Sequence, residues 1–257
     1  GLSIYSGTKN KAGASSKKGA PIIAGVIIGT LVGGSSTVGT AQLAYNYGMA
    51  AWWFTLGGGI ACLILALGYV GPLRRQGCPT LVGMIRKEYG DGAGMAASIL
   101  NSVGTFINII SQLISATAVI AVLYVVFGGT KGAGMVGVVK TILLYVSMLG
   151  CAGVVLALVG GVGPFADMVH NIDNPEGIHF FSLIARGAGE DIGAGLSLVL
   201  GVLTTQTYAQ AVLSGKTDGA ARRGALLSAF LIPPIGVGGI LVGLYMRANA
   251  ALYPGLT

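Results

Sequence analysis

Two apolar stretches of the sequence are interrupted by small and hydrogen-bonding residues of the types that bind cations and small polar solutes. The first runs from about Pro21 to Tyr47 and carries Gly33-Gly34-Ser35-Ser36-Thr37 at its centre. The second carries Thr204-Thr205-Gln206-Thr207-Tyr208. Glycine and hydroxyl residues weaken a helix, and a break inside a bilayer is tolerated only where its backbone groups line a cavity or meet a ligand. An interrupted spanning helix therefore indicates a binding site near the middle of the membrane.

Close helix packing is an alternative explanation for the first stretch. Gly25, Gly29 and Gly33 recur at four-residue spacing, which places them on one helix face. Small residues on such a face let two membrane helices approach closely. These residues alone leave binding and packing open.

The composition is that of an integral membrane protein. Of the 257 residues, 53% are hydrophobic and only 9% are charged, whereas soluble domains carry about 25% charged residues. The net charge of +7 comes from basic residues grouped in a few connecting segments, so it does not indicate nucleic-acid binding. We predict an all-α protein whose partner is the lipid bilayer.

The apolar runs predict a single, partial transmembrane domain over residues 1–257. We expect about seven spans, near residues 21–47, 50–70, 93–112, 113–128, 138–161, 192–213 and 224–246. Lys and Arg are enriched in cytoplasmic loops, which predicts a multi-pass protein of the cell membrane with loops 1–20, 73–92, 129–137 and 215–223 on the cytoplasmic side. The uncharged region 93–127 is too long for one span and short for two.

Catalytic residues are not indicated. The sequence has no nucleophile–base pair, no phosphate-binding motif and no spacing typical of a transition-metal site, so we expect neither an enzyme nor an organic cofactor. Asn101, Asn108, Ser111 and Ser115 recur near helical spacing. We interpret most of this polar stripe as helix–helix hydrogen bonding and keep the neighbouring Gln112 as a candidate solute-binding residue.

Several motifs in order along the chain resemble the sodium:solute symporter family, which has the LeuT-like inverted-repeat fold. Each motif is weak alone, and together they cover most of the chain. They are Gly33-Gly34-Ser35-Ser36-Thr37 leading to Tyr45-Asn46-Tyr47-Gly48, Trp52-Trp53-Phe54-Thr55-Leu56-Gly57, and Gln206 and Gln210 followed by Leu213-Ser214-Gly215-Lys216.

This resemblance implies a multispan helical bundle of LeuT-like architecture with discontinuous helices. It implies sodium-coupled symport of a small organic solute by alternating access, with Na⁺ as the coupling ion and no other cofactor. In the family, the first core span is unwound at its centre, and its carbonyls bind sodium. Carried over by motif, Gly29 and Val32 are the carbonyl donors to Na⁺, which is the only metal expected, and Ser35 and Ser36 face the substrate.

The second interruption corresponds to the symmetry mate of the first core span. The resemblance therefore makes Thr205, Gln206 and Tyr208 candidates for substrate contact or gating. All three are neutral hydrogen-bonding residues, so they do not select one substrate class.

The sequence also departs from the family pattern. Full members have an eighth core span whose paired hydroxyl residues complete the sodium site, and nothing after Tyr253 corresponds to it. Ala211 stands where the pattern usually has Arg. A non-transporting membrane module, a truncated remnant and an ion channel therefore stay as alternatives.

Overall fold

The computed structural model describes residues 18–114, 118–172 and 177–252, and its regular structure there is helical. The α-helices are α1 (Ala20–Leu31), α2 (Gly34–Tyr47), α3 (Trp53–Ile64), α4 (Val70–Arg75), α5 (Leu81–Ile114), α6 (Ala118–Val159), α7 (Val162–His170), α8 (Ala188–Thr204), α9 (Gln206–Leu213) and α10 (Asp218–Ala248). Short 3₁₀ turns at Gly48–Trp52 and Ala250–Leu252 and a π turn at Leu65–Tyr69 complete them. The predicted all-α fold with discontinuous helices is confirmed.

Several of these helices are long and apolar enough to cross a membrane. Within the described residues they are Ser36–Arg75, which runs through α2, α3 and α4, and Leu81–Ile110, Gly137–Val159 and Asp218–Ala248. Leu81–Ile110 is kinked at Gly90, whose φ of 86° and ψ of 176° are not helical. The pair α8 and α9, bent by 51° at its junction, adds a fifth if it is one span. A multispan membrane protein is thereby confirmed, and the seven-span count and the LeuT-like arrangement stay predictions.

Helix α10 lies at the centre of the bundle, where it packs against α1, α2, α3 and α6. Its Ile232 and Ile235 join Ile23, Ile27 and Ile28 of α1 in one core, and each of these side chains is at most 1% exposed. Ile23 and Ile27 are four residues apart, and Ile232 and Ile235 are three apart, spacings that place apolar side chains on one helix face. The core therefore fixes the position of α1, which carries the first interruption.

Glycines allow α1 and α6 to meet at backbone contact. A Cβ added to Gly137 of α6 would lie 1.9 Å from the carbonyl oxygen of Gly25, and one added to Gly29 would lie 2.9 Å from the Cα of Gly137. Two of the three glycines of the predicted small-residue face, Gly25 and Gly29, therefore pack against another helix. The third glycine, Gly33, lies in the break.

The prediction of a loop at residues 129–137 is wrong, because α6 is helical without interruption from Ala118 to Val159. The predicted spans 113–128 and 138–161 thus fall largely on one helix, while residues 115–117 lie outside the described part. A glycine costs a helix only about 1 kcal/mol, so Gly128 and Gly129 do not end it. At 1.5 Å per residue α6 is about 63 Å long, twice the hydrocarbon thickness.

One end of the bundle joins three segments that are far apart in sequence. The guanidinium of Arg74 forms an ion pair with Asp218 at 2.5 Å and donates to the carbonyl oxygen of Gly215 at 2.9 Å. The backbone N–H of Lys18 donates to the carbonyl of Ser214 at 2.9 Å. The segment before α1, the last turn of α4 and the segment after α9 therefore lie at the same end of the bundle.

Candidate functional site

The first interruption separates α1 from α2 over two residues. Helix α1 ends at Leu31, and the next residues are extended, with φ −91° and ψ 101° at Val32 and φ −126° and ψ −159° at Gly33. Helix α2 begins at Gly34. The predicted break is confirmed and lies at Val32 and Gly33, immediately before Gly34 and the hydroxyl residues that start α2.

A hydroxyl group bridges this break. Ser36 Oγ accepts a hydrogen bond from the N–H of Gly33 at 3.2 Å and donates one to the carbonyl of Leu31 at 2.8 Å. Ser36 is 1% exposed. Its hydroxyl therefore satisfies backbone groups that the broken helix leaves unpaired. The side chain of Ser35, also predicted to face substrate, lies outside the described part.

The break frees the carbonyl of Gly29. In a continuous helix this oxygen would accept from the N–H of Gly33, but that N–H donates to Ser36 Oγ instead. The ammonium of Lys140, on α6, donates to the Gly29 oxygen at 3.0 Å. Val32, the other predicted carbonyl ligand, is buried at the extended end of α1.

The role of Lys140 was missed from the sequence because the residue stands with Lys131 in a glycine-rich basic segment. It lies just after the predicted loop 129–137, at the start of the predicted span 138–161, where the sequence shows only its charge. Because the segment is helical and Gly137 brings α6 against α1, Lys140, one helical turn further on, reaches the break. The prediction of a loop at residues 129–137 does not place this segment against α1, so the contact could not be predicted.

The second interruption lies at Thr205, between α8 and α9. Thr205 is extended, with φ −78° and ψ 127°, and the helix axis bends by 51°. The hydroxyls of Thr204 and Thr205 donate to the carbonyls of Leu200 and Gly201 at 2.7 and 2.6 Å. The interruption expected near Thr204–Tyr208 is therefore confirmed.

The side chain of Gln206 ties this second break to α5. Its Oε1 accepts from the N–H of Leu81 at 2.7 Å, one of the first N–H groups of α5, which have no partner within the helix. Tyr208, two residues on, is 7% exposed. Gln206 thus fixes the start of α5 beside the break.

A cavity of about 590 Å³ opens at the second break. Its wall is formed by the break itself, by α5 and by one residue of α1. The lining residues are Thr30, Leu81, Val82, Ile85, Ala97, Leu100, Asn101, Gly104, Thr105, Asn108, Ile109, Thr204, Thr205, Gln206, Thr207 and Tyr208. The predicted residues Thr205, Gln206 and Tyr208 are therefore brought together.

The predicted residues of the first break do not line this cavity. Gly29, Val32 and Ser36 are absent from the described wall, and α1 contributes Thr30, the residue after Gly29. The two parts of the candidate site are thus neighbours joined by the last turn of α1. Gln112 lies in α5, and its side chain is outside the described part.

Part of the polar stripe of α5 lines the cavity. Asn101 and Asn108 of the stripe lie in its wall together with Thr105, and the interpretation of most of the stripe as helix–helix hydrogen bonding stays a prediction. The three are spaced four and three residues apart, so they share one helix face. That spacing was the available signal, and only the position of α9 shows which face it is.

The chemistry of the cavity is that of binding. Among the described residues, its lining has hydroxyl, amide and phenol groups and no carboxylate, lysine or arginine. Within the described residues, no group of three or more His, Cys, Asp and Glu side chains is placed to hold a metal ion. A pocket of neutral hydrogen-bonding groups and apolar side chains fits a small organic molecule.

Comparison with known proteins gives a family and a set of relatives. The model of the sodium:solute symporter family matches residues 17–122 and 114–257. The high-affinity choline transporter 1 of Drosophila melanogaster is 26% identical over 93% of this chain and 43% of its own length. The proteins of that name in Caenorhabditis elegans and Homo sapiens are 27% and 25% identical, over 93% and 92% of this chain and 47% and 46% of theirs.

The chain spans about half the length of the relatives it matches. The family model, by contrast, matches nearly every residue, including both helix interruptions and α6. The chain belongs to the sodium:solute symporter family.

Proposed function

We propose that the protein of which this chain is part couples the entry of a small organic solute to that of sodium by alternating access. The observation that carries the proposal is the pair of interrupted helices, of which the second opens on a cavity of about 590 Å³ that α1 also lines through Thr30. Interrupted helices present carbonyls and helix ends to ions and substrates at the middle of a membrane. Gly29 and Thr30 are adjacent in the last turn of α1, so sodium bound at the first break can affect solute in the cavity that Thr30 lines.

The sodium site is proposed at the end of α1. Na⁺ is a hard cation that prefers oxygen ligands, as Ca²⁺ and Mg²⁺ do. Gly29 lies in the last turn of α1, and Val32 follows that turn. The C-terminal end of a helix carries partial negative charge, which adds to the attraction of the two carbonyl oxygens.

The solute site is proposed in the cavity. Thr205, Gln206 and Tyr208 would contact solute together with Asn101 and Asn108. Choline is the first solute to test, since the relatives are named as choline transporters. A quaternary ammonium can bind over an aromatic ring, and Tyr208 supplies one ring to the described wall.

In the described conformation, Ser36 stabilises the first break and does not line the cavity. Its hydroxyl is bonded to Gly33 and Leu31, so we propose that it holds the break open. Direct contact of Ser35 and Ser36 with substrate stays a prediction, as does a part for Gln112.

We propose that the end of the bundle that carries Arg74 and Asp218 faces the cytoplasm. The segments 73–92 and 215–223 are rich in Lys and Arg, which favours the inner side. The ion pair between Arg74 and Asp218 supports one common side for both segments.

A thermal-shift screen of the full-length protein tests the proposed function. Choline and other small solutes are added in NaCl or in N-methyl-D-glucamine chloride of equal concentration. A ligand that binds only the folded state raises the unfolding temperature by mass action, so the expected result is a solute whose stabilisation is larger in sodium. If every solute acts equally in the two salts, coupling to sodium is refuted.

A further inference from the structure

The carbonyl oxygen of Gly29, which we propose as a sodium ligand, already accepts a hydrogen bond from a cationic side chain, that of Lys140. Lys140 Nζ lies 3.0 Å from this oxygen, the distance of a normal hydrogen bond. The bond joins residues 111 positions apart in the sequence and is partly buried. It is therefore a specific tertiary contact between α6 and the end of α1.

The backbone of the two helices holds the ammonium in this position. Gly137 lies against Gly25 so closely that a Cβ on Gly137 would fall 1.9 Å from the Gly25 oxygen. Lys140 lies one turn beyond Gly137, and Gly29 lies one turn beyond Gly25, so their meeting follows from the same crossing. Thr141 does not compete for the site, because its hydroxyl donates to the carbonyl of Gly137 at 2.7 Å.

No carboxylate neutralises this lysine within the described part of the chain. The ion pairs found there join Arg74 to Asp218, Arg86 to Asp91 and Arg186 to Asp191. Helix α1 has no acidic or basic residue. The partners of the ammonium are thus a carbonyl oxygen and the negative end of the α1 helix, the same groups that would attract Na⁺.

We propose that Lys140 is a tethered cation that competes with sodium for the carbonyl of Gly29 and so sets the sodium affinity of the site. This inference rests on the proposed sodium site. Two unit positive charges that share one oxygen repel strongly where little water screens them. Sodium therefore binds only when the ammonium has left the Gly29 oxygen. The free energy needed to break this hydrogen bond reduces the apparent affinity for sodium.

Direct sodium binding without solute tests the proposal. The full-length protein is purified as wild type, Lys140→Met, Lys140→Gln and Lys87→Met, and its unfolding temperature is followed as NaCl replaces N-methyl-D-glucamine chloride. Methionine removes the charge with similar length, and glutamine keeps a donor for the Gly29 oxygen without charge. Lys87→Met is the matched control, since this exposed lysine of α5 lies 3.5 Å from the Gln76 carbonyl and away from the break.

The half-saturating sodium concentration is expected to fall about tenfold in Lys140→Met and Lys140→Gln, which corresponds to 1.4 kcal/mol, and to stay unchanged in Lys87→Met. A wild type that does not respond to sodium beside a Lys140→Met protein that does would also support the proposal. Equal half-saturation in all four proteins, or no sodium response in either Lys140 variant, would overturn it.

Failure of the proposed function has a different signature. Sodium-driven solute uptake by wild type together with unchanged sodium binding in the Lys140 variants would refute the tethered cation and leave symport intact. Tight sodium binding by Lys140→Met with no sodium-driven uptake of any solute by wild type would refute symport and leave the tethered cation intact.

Discussion

Replacing Gly137 with alanine is expected to push α1 and α6 apart. The added Cβ would lie 1.9 Å from the carbonyl oxygen of Gly25, and real Cβ atoms hardly ever come within 3.0 Å of a non-bonded heavy atom, so the helices must separate by about 1 Å. The oxygen belongs to the backbone of a helix whose other face is buried among isoleucines. It cannot turn aside as a flexible side chain could.

Overpacking of this kind costs about 1–3 kcal/mol, and we expect a value near the upper end because a whole helix has to move. Gly153→Ala is the matched control on the same helix, since a Cβ there meets nothing within 4 Å. Alanine in an open helical position is neutral or stabilising by up to about 1 kcal/mol. The two variants should thus differ by about 2 kcal/mol or more in free energy of unfolding.

The assay is titration of the purified full-length protein with sodium dodecyl sulfate in mixed micelles, followed by far-ultraviolet circular dichroism. Gly137→Ala should unfold at a lower detergent fraction than wild type, and Gly153→Ala should not. If the two variants unfold alike, the backbone contact between α1 and α6 does not exist as described.

Substitutions at three further positions probe the two breaks and the end of the bundle that carries Arg74. Ser36→Ala should lower the free energy of unfolding by about 1–3 kcal/mol, because two backbone groups lose their partner; stability equal to wild type in the same titration would show that the bridge is dispensable. Gln206→Leu should weaken solute binding severalfold by releasing the start of α5, and Gln206→Glu, which keeps an acceptor for the Leu81 N–H, should restore it; a solute Kd that is the same in all three forms would argue against the anchor. Arg74→Met should lower the free energy of unfolding by about 2 kcal/mol or more, because the guanidinium donates to three carbonyls, and Arg75→Met, at an exposed position, should change it little. An equal decrease in both variants would show that Arg74 does not hold this end of the bundle together.

The positions of the two breaks could be predicted because their cause is local. Gly33-Gly34 and the hydroxyl residues that follow are poor helix formers, and the helix stops within two residues of them. Thr204 and Thr205 gave the same signal, and the bend lies at Thr205. Family resemblance added the link between them, which no local property of either segment contains.

The continuous α6 and its contacts could not be predicted, because tertiary packing decides them. A loop was predicted at residues 129–137, but packed helices tolerate glycine, and the helix runs through Gly128 and Gly129. Small residues in α1 predicted a close contact with another helix but did not identify that helix. The contact is with Gly137 of α6. Lys140 carried only a charge signal, and its bond to Gly29 depends on that crossing.

The most direct measurement of the proposed mechanism is the initial rate of solute uptake into proteoliposomes that contain the full-length protein. The solute is the one whose stabilisation is most enhanced by sodium, and the inward gradient is either Na⁺ or N-methyl-D-glucamine. Wild type should take up solute in a saturable way under the sodium gradient alone, and Gly33→Leu, which fills the first break, should lose that dependence. Uptake at one rate under both gradients, or sodium-driven uptake that survives Gly33→Leu unchanged, would contradict a sodium site built on the interrupted helix.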